Sequence, residues 1–295
     1  MKSAFGMLLI LLAGHAARGQ EKPATVILPN GVTEKADVPY AIGTQGPLLA
    51  NFYLPAKTEA MPAVIFIHGG GWTSGDRTQL RKVAAALSGK GFVGMMIDYD
   101  LSSKDGSVHF PTAVYQCKEA VRWLRAHAPE YHVDPNRIVV AGSSAGGQLS
   151  AMMGVTSGDP AYDGDGKYKN FPSTVRAAIV FNGELDLTAD KDAAPNLVAY
   201  LGGTCSSNRK LCEDASPQKH IHAGMVPFYV GHGTADPSVD FSQYVNFVAA
   251  MNAAGNQITG FPAQDAKHTY WNDPRYFDSN VVAVEAFLEQ VLGKK

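Results

Sequence analysis

Arg137-Ile138-Val139-Val140-Ala141-Gly142-Ser143-Ser144-Ala145-Gly146-Gly147 runs an apolar strand straight into a turn of small residues. The segment Arg137–Ala141 reads as a strand. Ala145–Val155 reads as the helix that follows. Glycine two positions before and two after Ser144 leaves the backbone uncrowded where strand must bend sharply into helix. A helix opening there aims its first N–H groups and a partial positive charge at the serine's target. The stretch predicts Ser144 as a nucleophile and the Ala145 N–H as an oxyanion donor. A Gly/Ser turn without chemistry is the plain alternative for these letters alone.

A second stretch removes most of that ambiguity. His68-Gly69-Gly70-Gly71-Trp72 directly follows the apolar run Ala63–Ile67. Acyl transfer puts negative charge on a carbonyl oxygen, and bare main-chain N–H groups reach it only where no side chain intervenes. Gly69 and Gly70 are the donors expected from this loop. Trp72, and Trp271 near the other end of the chain, offer flat faces to a sugar ring or an aromatic acyl group, or else pack in the core.

Working outward, short apolar runs alternate with helical patterns, the signature of an α/β sheet. Strands are expected at Thr25–Leu28, Val38–Ile42, Leu49–Leu54, Ala63–Ile67, Phe92–Asp98, Arg137–Ala141, Val175–Phe181, Val226–Val230 and Gln257–Phe261. Helices are expected at Thr78–Ser88, Thr112–Ala128, Ala145–Val155, Phe241–Ala254 and Phe277–Leu292. Two polar stretches, Thr156–Thr174 and Leu187–Gly224, interrupt the rhythm. They are expected to be loop-like and to wall or partly lid the active site, or else to elaborate the surface away from it.

The 295 residues suit one large domain, and 45% hydrophobic with 18% charged residues is a globular composition. A formal charge of −2 and the lack of any basic run argue against a nucleic-acid partner. Lys2 followed by the apolar run Ala4–Ala13 reads as a cleavable secretory leader, cut after Ala16 or Gly19. The run is short for a permanent anchor, so a mildly acidic, secreted or periplasmic catalytic domain over 20–295 is expected. In such a compartment Cys205 and Cys212 either close a small disulfide loop or stay as thiols, and Cys117 reads as a buried side chain. No metal-ligand spacing stands out. Asp163-Gly164-Asp165-Gly166-Lys167 begins like a calcium loop, but lysine occupies a ligand position and Thr174 stands where the closing glutamate belongs.

Together His68–Trp72 and Gly142–Gly147 resemble the α/β-hydrolase esterases. The stretch from Phe110-Pro111 through Ala120-Val121-Arg122-Trp123-Leu124 to Asp134-Pro135-Asn136-Arg137-Ile138 is similar to the bacterial acetyl-xylan and feruloyl esterase branch, near the hormone-sensitive-lipase-like branch. The likeness spans nearly all of the mature chain and is weakest over 156–224. It implies a mostly parallel sheet with helices on both faces and a small lid-like insertion. It also implies a triad in the order serine, acid, histidine and no cofactor. Asp236, in His232-Gly233-Thr234-Ala235-Asp236, matches the acid loop, with Asp240 and Asp186 as competitors. His268, after the last expected strand, is the base; His68 and His232 are expected to orient loops by hydrogen bonding. The implied activity is carboxylic-ester hydrolysis, on acetyl or feruloyl esters of plant polysaccharide. The alternatives are a general short-chain carboxylesterase and an amide-cleaving relative.

Overall fold

Segments with no polar face become the middle of one sheet. The computed structural model describes residues 26–103, 105–189 and 194–293, so the expected leader lies outside the described residues. β3 (Met61–Ile67) and β4 (Val93–Ile97) are buried at every position. So are β6 (Ala178–Phe181) and β7 (Phe228–Gly233), while β5 (Val133–Ser143) is buried from Ile138 onward. The hairpin β1 (Val32–Gly43) and β2 (Gly46–Pro55) forms one edge, and β8 (Ile258–Ala263) the other. The order across the eight strands is β1-β2-β4-β3-β5-β6-β7-β8. Pairings β1–β2 and β2–β4 are antiparallel and all the others parallel.

Side chains of period two divide between two cores. Val64, Phe66, Val139, Ile179 and Tyr229 meet α1 (Arg81–Gly89) and α7 (Phe277–Leu292). Ile65, Ile67, Val140, Val180 and Val230 meet α2 (Thr112–Ala126), α3 (Ala145–Val155) and α6 (Ser242–Ala253). Each fully buried aliphatic or aromatic side chain in these layers contributes about 2 kcal/mol. α3 is buried on every side, because the sheet covers one flank and the chain after residue 187 the other.

Several expectations are corrected. No strand forms over 26–28; Val26 and Leu28 instead pack against the α1/α7 core. The expected helix Thr78–Ser88 splits into a 3-10 turn, Arg77–Leu80, capped by Asp76, followed by α1. The stretch Leu187–Gly224 is not simply loop. It contains α4 (Pro195–Leu201), with proline in its first turn and left-handed Gly202 at its end. It also contains α5 (Arg209–Asp214), where Asn208 accepts from the Leu211 N–H. A Cys205–Cys212 disulfide, 5.4 Å between Cα atoms, ties the turn between the two helices to α5. Cys117 is a buried free thiol, pushed well above its ordinary pKa by burial.

The other stretch, Thr156–Thr174, docks along α2. Its Asp163 carboxylate meets Lys118 Nζ at 3.3 Å, Arg122 at 3.1 Å and the Ser173 hydroxyl. The Lys118 side chain is fully buried and the Arg122 side chain is 4% exposed, so this carboxylate balances charges that water cannot reach. That demand holds the stretch on α2. It lines no part of the cavity beside Asp236 among the described residues. Removing the carboxylate in Asp163→Ala takes the ion pair from Lys118 and leaves Arg122 only its 3.8 Å contact with Glu119, and urea denaturation is expected to show a loss of roughly 3 kcal/mol.

Candidate active site

The register of the sheet brings the motifs to one end. Ile67 pairs with Gly142, Ser143 with Phe181 and Phe181 with Gly231. One step past those pairs, His68, Ser144 and Asn182 leave β3, β5 and β6, and His232 is the penultimate residue of β7, so all four stand at the carboxyl ends of neighbouring strands, where open α/β sheets place their sites.

Ser144 has φ 55° and ψ −124°, left-handed backbone that an ordinary residue adopts only under constraint. Its N–H donates to the Phe181 carbonyl at 2.9 Å. A Cβ on Gly142 would collide with the Gly146 carbonyl, and one on Gly146 with the carbonyls of Ile67 and His68. Both glycines are therefore demanded by close backbone approach. Ser144 itself is half-buried.

The acid and base lie together. His268 Nδ1 is 2.8 Å from Asp236 Oδ2. The Asp236 side chain is fully buried, and Oδ1 accepts from the N–H groups of Ser238 (2.8 Å) and Val239 (3.1 Å). His232 Nε2 approaches Oδ2 at 3.4 Å and the Val239 carbonyl at 3.0 Å. Burial alone would raise this carboxyl's pKa. Hydrogen bonds from His232, His268 and the two main-chain amides outweigh it and hold the carboxyl far below the usual carboxylate range. With Nδ1 donating to Asp236, Nε2 is the nitrogen of His268 able to accept a proton. Among the described residues no hydrogen bond joins Ser144 Oγ to His268; the two are related by the strand order. Asp240 instead accepts from the Ser242 N–H, and Asp186 pairs with Lys219.

The glycine loop needs one correction. The Gly69 N–H donates to Gln79 Oε1 at 2.7 Å, and the same oxygen accepts from Ser143 Oγ at 2.9 Å. Gly69 is thus an occupied donor that ties its loop to the elbow. The N–H groups of Gly70, Gly71 and Ala145 have no acceptor among the described residues. Gly70 and Gly71 have φ of 120° and 58°, which turns successive amides in ways other residues resist. His68 Nδ1 bonds the Gly69 carbonyl, and the ring stacks on Tyr99 at 4.4 Å, the orienting role expected of it. Gln79 was invisible in the sequence, since no spacing marks a side chain ten residues away as an acceptor.

Trp271 is also corrected, whereas Trp72 packs its ring in the core and still lines the cavity beside Asp236. Trp271 is 4% exposed in the α1/α7 core and offers no open face. Trp72 is 1% exposed and stacks on Tyr200 with ring centres 4.4 Å apart. Its Nε1 donates to Gln148 Oε1 at 3.0 Å; Tyr200 donates to the same oxygen, and Gln148 Nε2 donates to the Ala215 carbonyl. The chain after residue 187 is thereby fastened to α3. It walls a cavity of about 610 Å³ beside Asp236, with Gly71, Glu184, Asn196, Leu197 and Val239 among its lining.

Comparison with known proteins identifies relatives of the whole fold. The BD-FAE family profile matches residues 50–251. Esterase LipQ of Mycobacterium tuberculosis is 28% identical over 272 residues, 89% of this chain and 63% of the relative. The probable carboxylic ester hydrolase LipM of the same organism is 32% identical over 68% of this chain and 47% of its own. The chain thus spans between about half and just under two thirds of these relatives. Among solved structures, the thermophilic esterase Est2 of Thermogutta terrifontis superposes with a TM-score of 0.74 at 32% identity, covering 89% of this chain and 93% of that one. A truncated carbohydrate esterase from gut microbiota gives 0.76 at 25% identity, covering 86% and 95%.

Two outcomes follow from the site's geometry. Gly146→Ala forces a methyl group into main-chain carbonyls, and is expected to lower stability by about 3 kcal/mol on thermal or urea unfolding. For Asp236, a depressed folded pKa means stability that is full above the unfolded value of about 4 and is lost as pH falls below it toward the folded one. Urea midpoints for wild type and Asp236→Asn should therefore differ most at neutral pH and converge in acid.

Proposed function

This chain belongs to the BD-FAE family and has the α/β-hydrolase fold of its esterase relatives, and from that premise we propose that it is a serine carboxylic-ester hydrolase working through an acyl-enzyme. The 2.8 Å bond from His268 to the buried Asp236 carboxylate, at the sheet end that carries the Ser144 elbow, is the observation that carries the reading. In the first step His268 Nε2 takes the Ser144 proton as Oγ attacks the ester carbonyl, and Asp236 stabilises the imidazolium. The oxyanion is held by the N–H groups of Gly70, Gly71 and Ala145, one such donor being worth about 3 kcal/mol of barrier. His268 then protonates the leaving alcohol. Water, activated by the same imidazole, releases the acid.

The substrate reading is an acetyl or feruloyl ester of plant polysaccharide, met outside the cell. The gut carbohydrate esterase supports it, as does a cavity that offers Glu184, Asn196, Ser238 and Gln243 beside its apolar wall. The cavity's volume also suits a ligand of several hundred daltons. Secretion is supported by the Lys2 and Ala4–Ala13 leader pattern together with the disulfide. A short-chain carboxylesterase is the second reading, favoured by Est2 structures with propionate and butyrate bound.

Purified protein and Ser144→Ala should be compared on p-nitrophenyl acetate and butyrate, methyl ferulate and acetylated xylan. Turnover is expected from wild type, with a loss of about 10⁴-fold or more in the variant. Paraoxon, which phosphorylates Est2, is expected to leave a single adduct that peptide mapping places on Ser144. An adduct elsewhere, or equal turnover by both proteins, rules the nucleophile out. Acetate or ferulate release from polymer separates the first substrate reading from the second.

A further inference from the structure

Asn182 stands between the nucleophile and the acid–base pair, in a conformation that its own bonding does not explain. It follows β6, is fully buried and has φ 48°. Its main-chain N–H donates to the Gly231 carbonyl at 2.9 Å, and the residue before it accepts the Ser144 N–H. Its side-chain Nδ2 donates to Asp236 Oδ2 at 3.1 Å and to the main-chain carbonyl of His268, and lies 3.5 Å from His268 Nδ1. Its Oδ1 is buried with no hydrogen-bond partner.

The orientation of the amide is dictated by these neighbours. Reversed, it would set Oδ1 against a carboxylate oxygen and a carbonyl oxygen, three acceptors with no proton between them. Held as it is, the residue carries two local costs, left-handed backbone and an unpaired buried oxygen. Asparagine tolerates the first better than most residues. Such costs persist where the surroundings fix a group for a task.

We propose that Asn182 is a positioning residue of the acid–base pair: its amide ties the Asp236 carboxylate to the main chain of His268 and so sets where the imidazole stands relative to Ser144. The proposal rests on the serine-hydrolase reading above. One donor bridging both partners keeps Asp236 Oδ2 and the His268 backbone from separating. Without it the ring keeps its bond to Asp236 but loses a fixed height above the elbow, and a displacement of about 1 Å in a reacting group is enough to cost on the order of 100-fold in rate.

Two substitutions preserve the left-handed backbone while removing the donor. Asn182→Gly deletes the amide, and Asn182→Asp keeps its shape but replaces the donor with a carboxylate. Both should be assayed with p-nitrophenyl acetate beside wild type and Ser144→Ala, with Tm recorded for each. Asn182→Gly is expected to lower kcat about ten- to 100-fold with KM little changed. Among the described residues, the titratable groups linked to His268 here are Asp236 and, across that carboxylate, His232. A further negative charge among them favours imidazolium, so Asn182→Asp is expected to move the acid limb of kcat/KM to higher pH as well. A lowered Tm with unchanged kcat marks a structural residue and overturns the assignment, as do two active variants with an unmoved pH profile. Should Asn182→Gly fail to fold, Asn182→Asp carries the comparison. A wild type inactive on every ester overturns the hydrolase reading and this one with it, whereas an active wild type with unaffected variants overturns this one alone.

Discussion

In the β5–α3 bend, Gly146 lies so close to the end of β3, and Gly142 so close to Gly146, that only glycine fits at either position. The left-handed φ of Ser144 follows from that crowding, and so does the direction in which α3 leaves the sheet. The glycine loop after β3 then lies against the elbow, fastened to it through Gln79. One steric restriction therefore fixes both the attacking atom and the amides that face the developing charge. Remaining parts of the molecule can vary around it, as the long stretches after α3 do.

The second organising element is electrostatic. Asp236 lies out of water, yet main-chain amides, an asparagine and two histidines surround it, so the ionised form is the favoured one. A carboxylate held that firmly anchors the His268 ring by one nitrogen and leaves the other for proton transfer. Lys118 and Arg122 meet the same demand with opposite sign on the far side of α2, where Asp163 compensates them. Those buried cations hold the 156–174 stretch at a fixed place on α2.

What the sequence disclosed follows from how local each signal was. Helices Ala145–Val155 and Phe277–Leu292 have the boundaries that their apolar spacing implies, since a helix is written in residues three and four apart. The parallel strands and the sheet-end positions of Ser144, Asp236 and His268 were equally legible. The short helices after residue 194 were obscured by polar composition, though Pro195 and Asn208 were readable start signals. Partners across space were not legible at all. Gln79 occupies Gly69, Tyr200 covers Trp72, and the α1/α7 core encloses Trp271, all through contacts that no window of sequence contains. Asn182 belongs to the same class.

Gln148 joins Trp72, Tyr200 and the Ala215 carbonyl on a single amide, from the helix that begins at the nucleophile. The wall of the cavity is therefore fastened to the helix that carries the nucleophile. For directed evolution this separates two kinds of position. Diversity introduced at Asn196 or Leu197 reshapes the wall while its fastening survives, whereas a library that includes Gln148 releases the wall and disturbs that helix in the same step. Grafting a foreign segment between β6 and β7 succeeds on this scaffold when the donor brings its own counterpart to that amide.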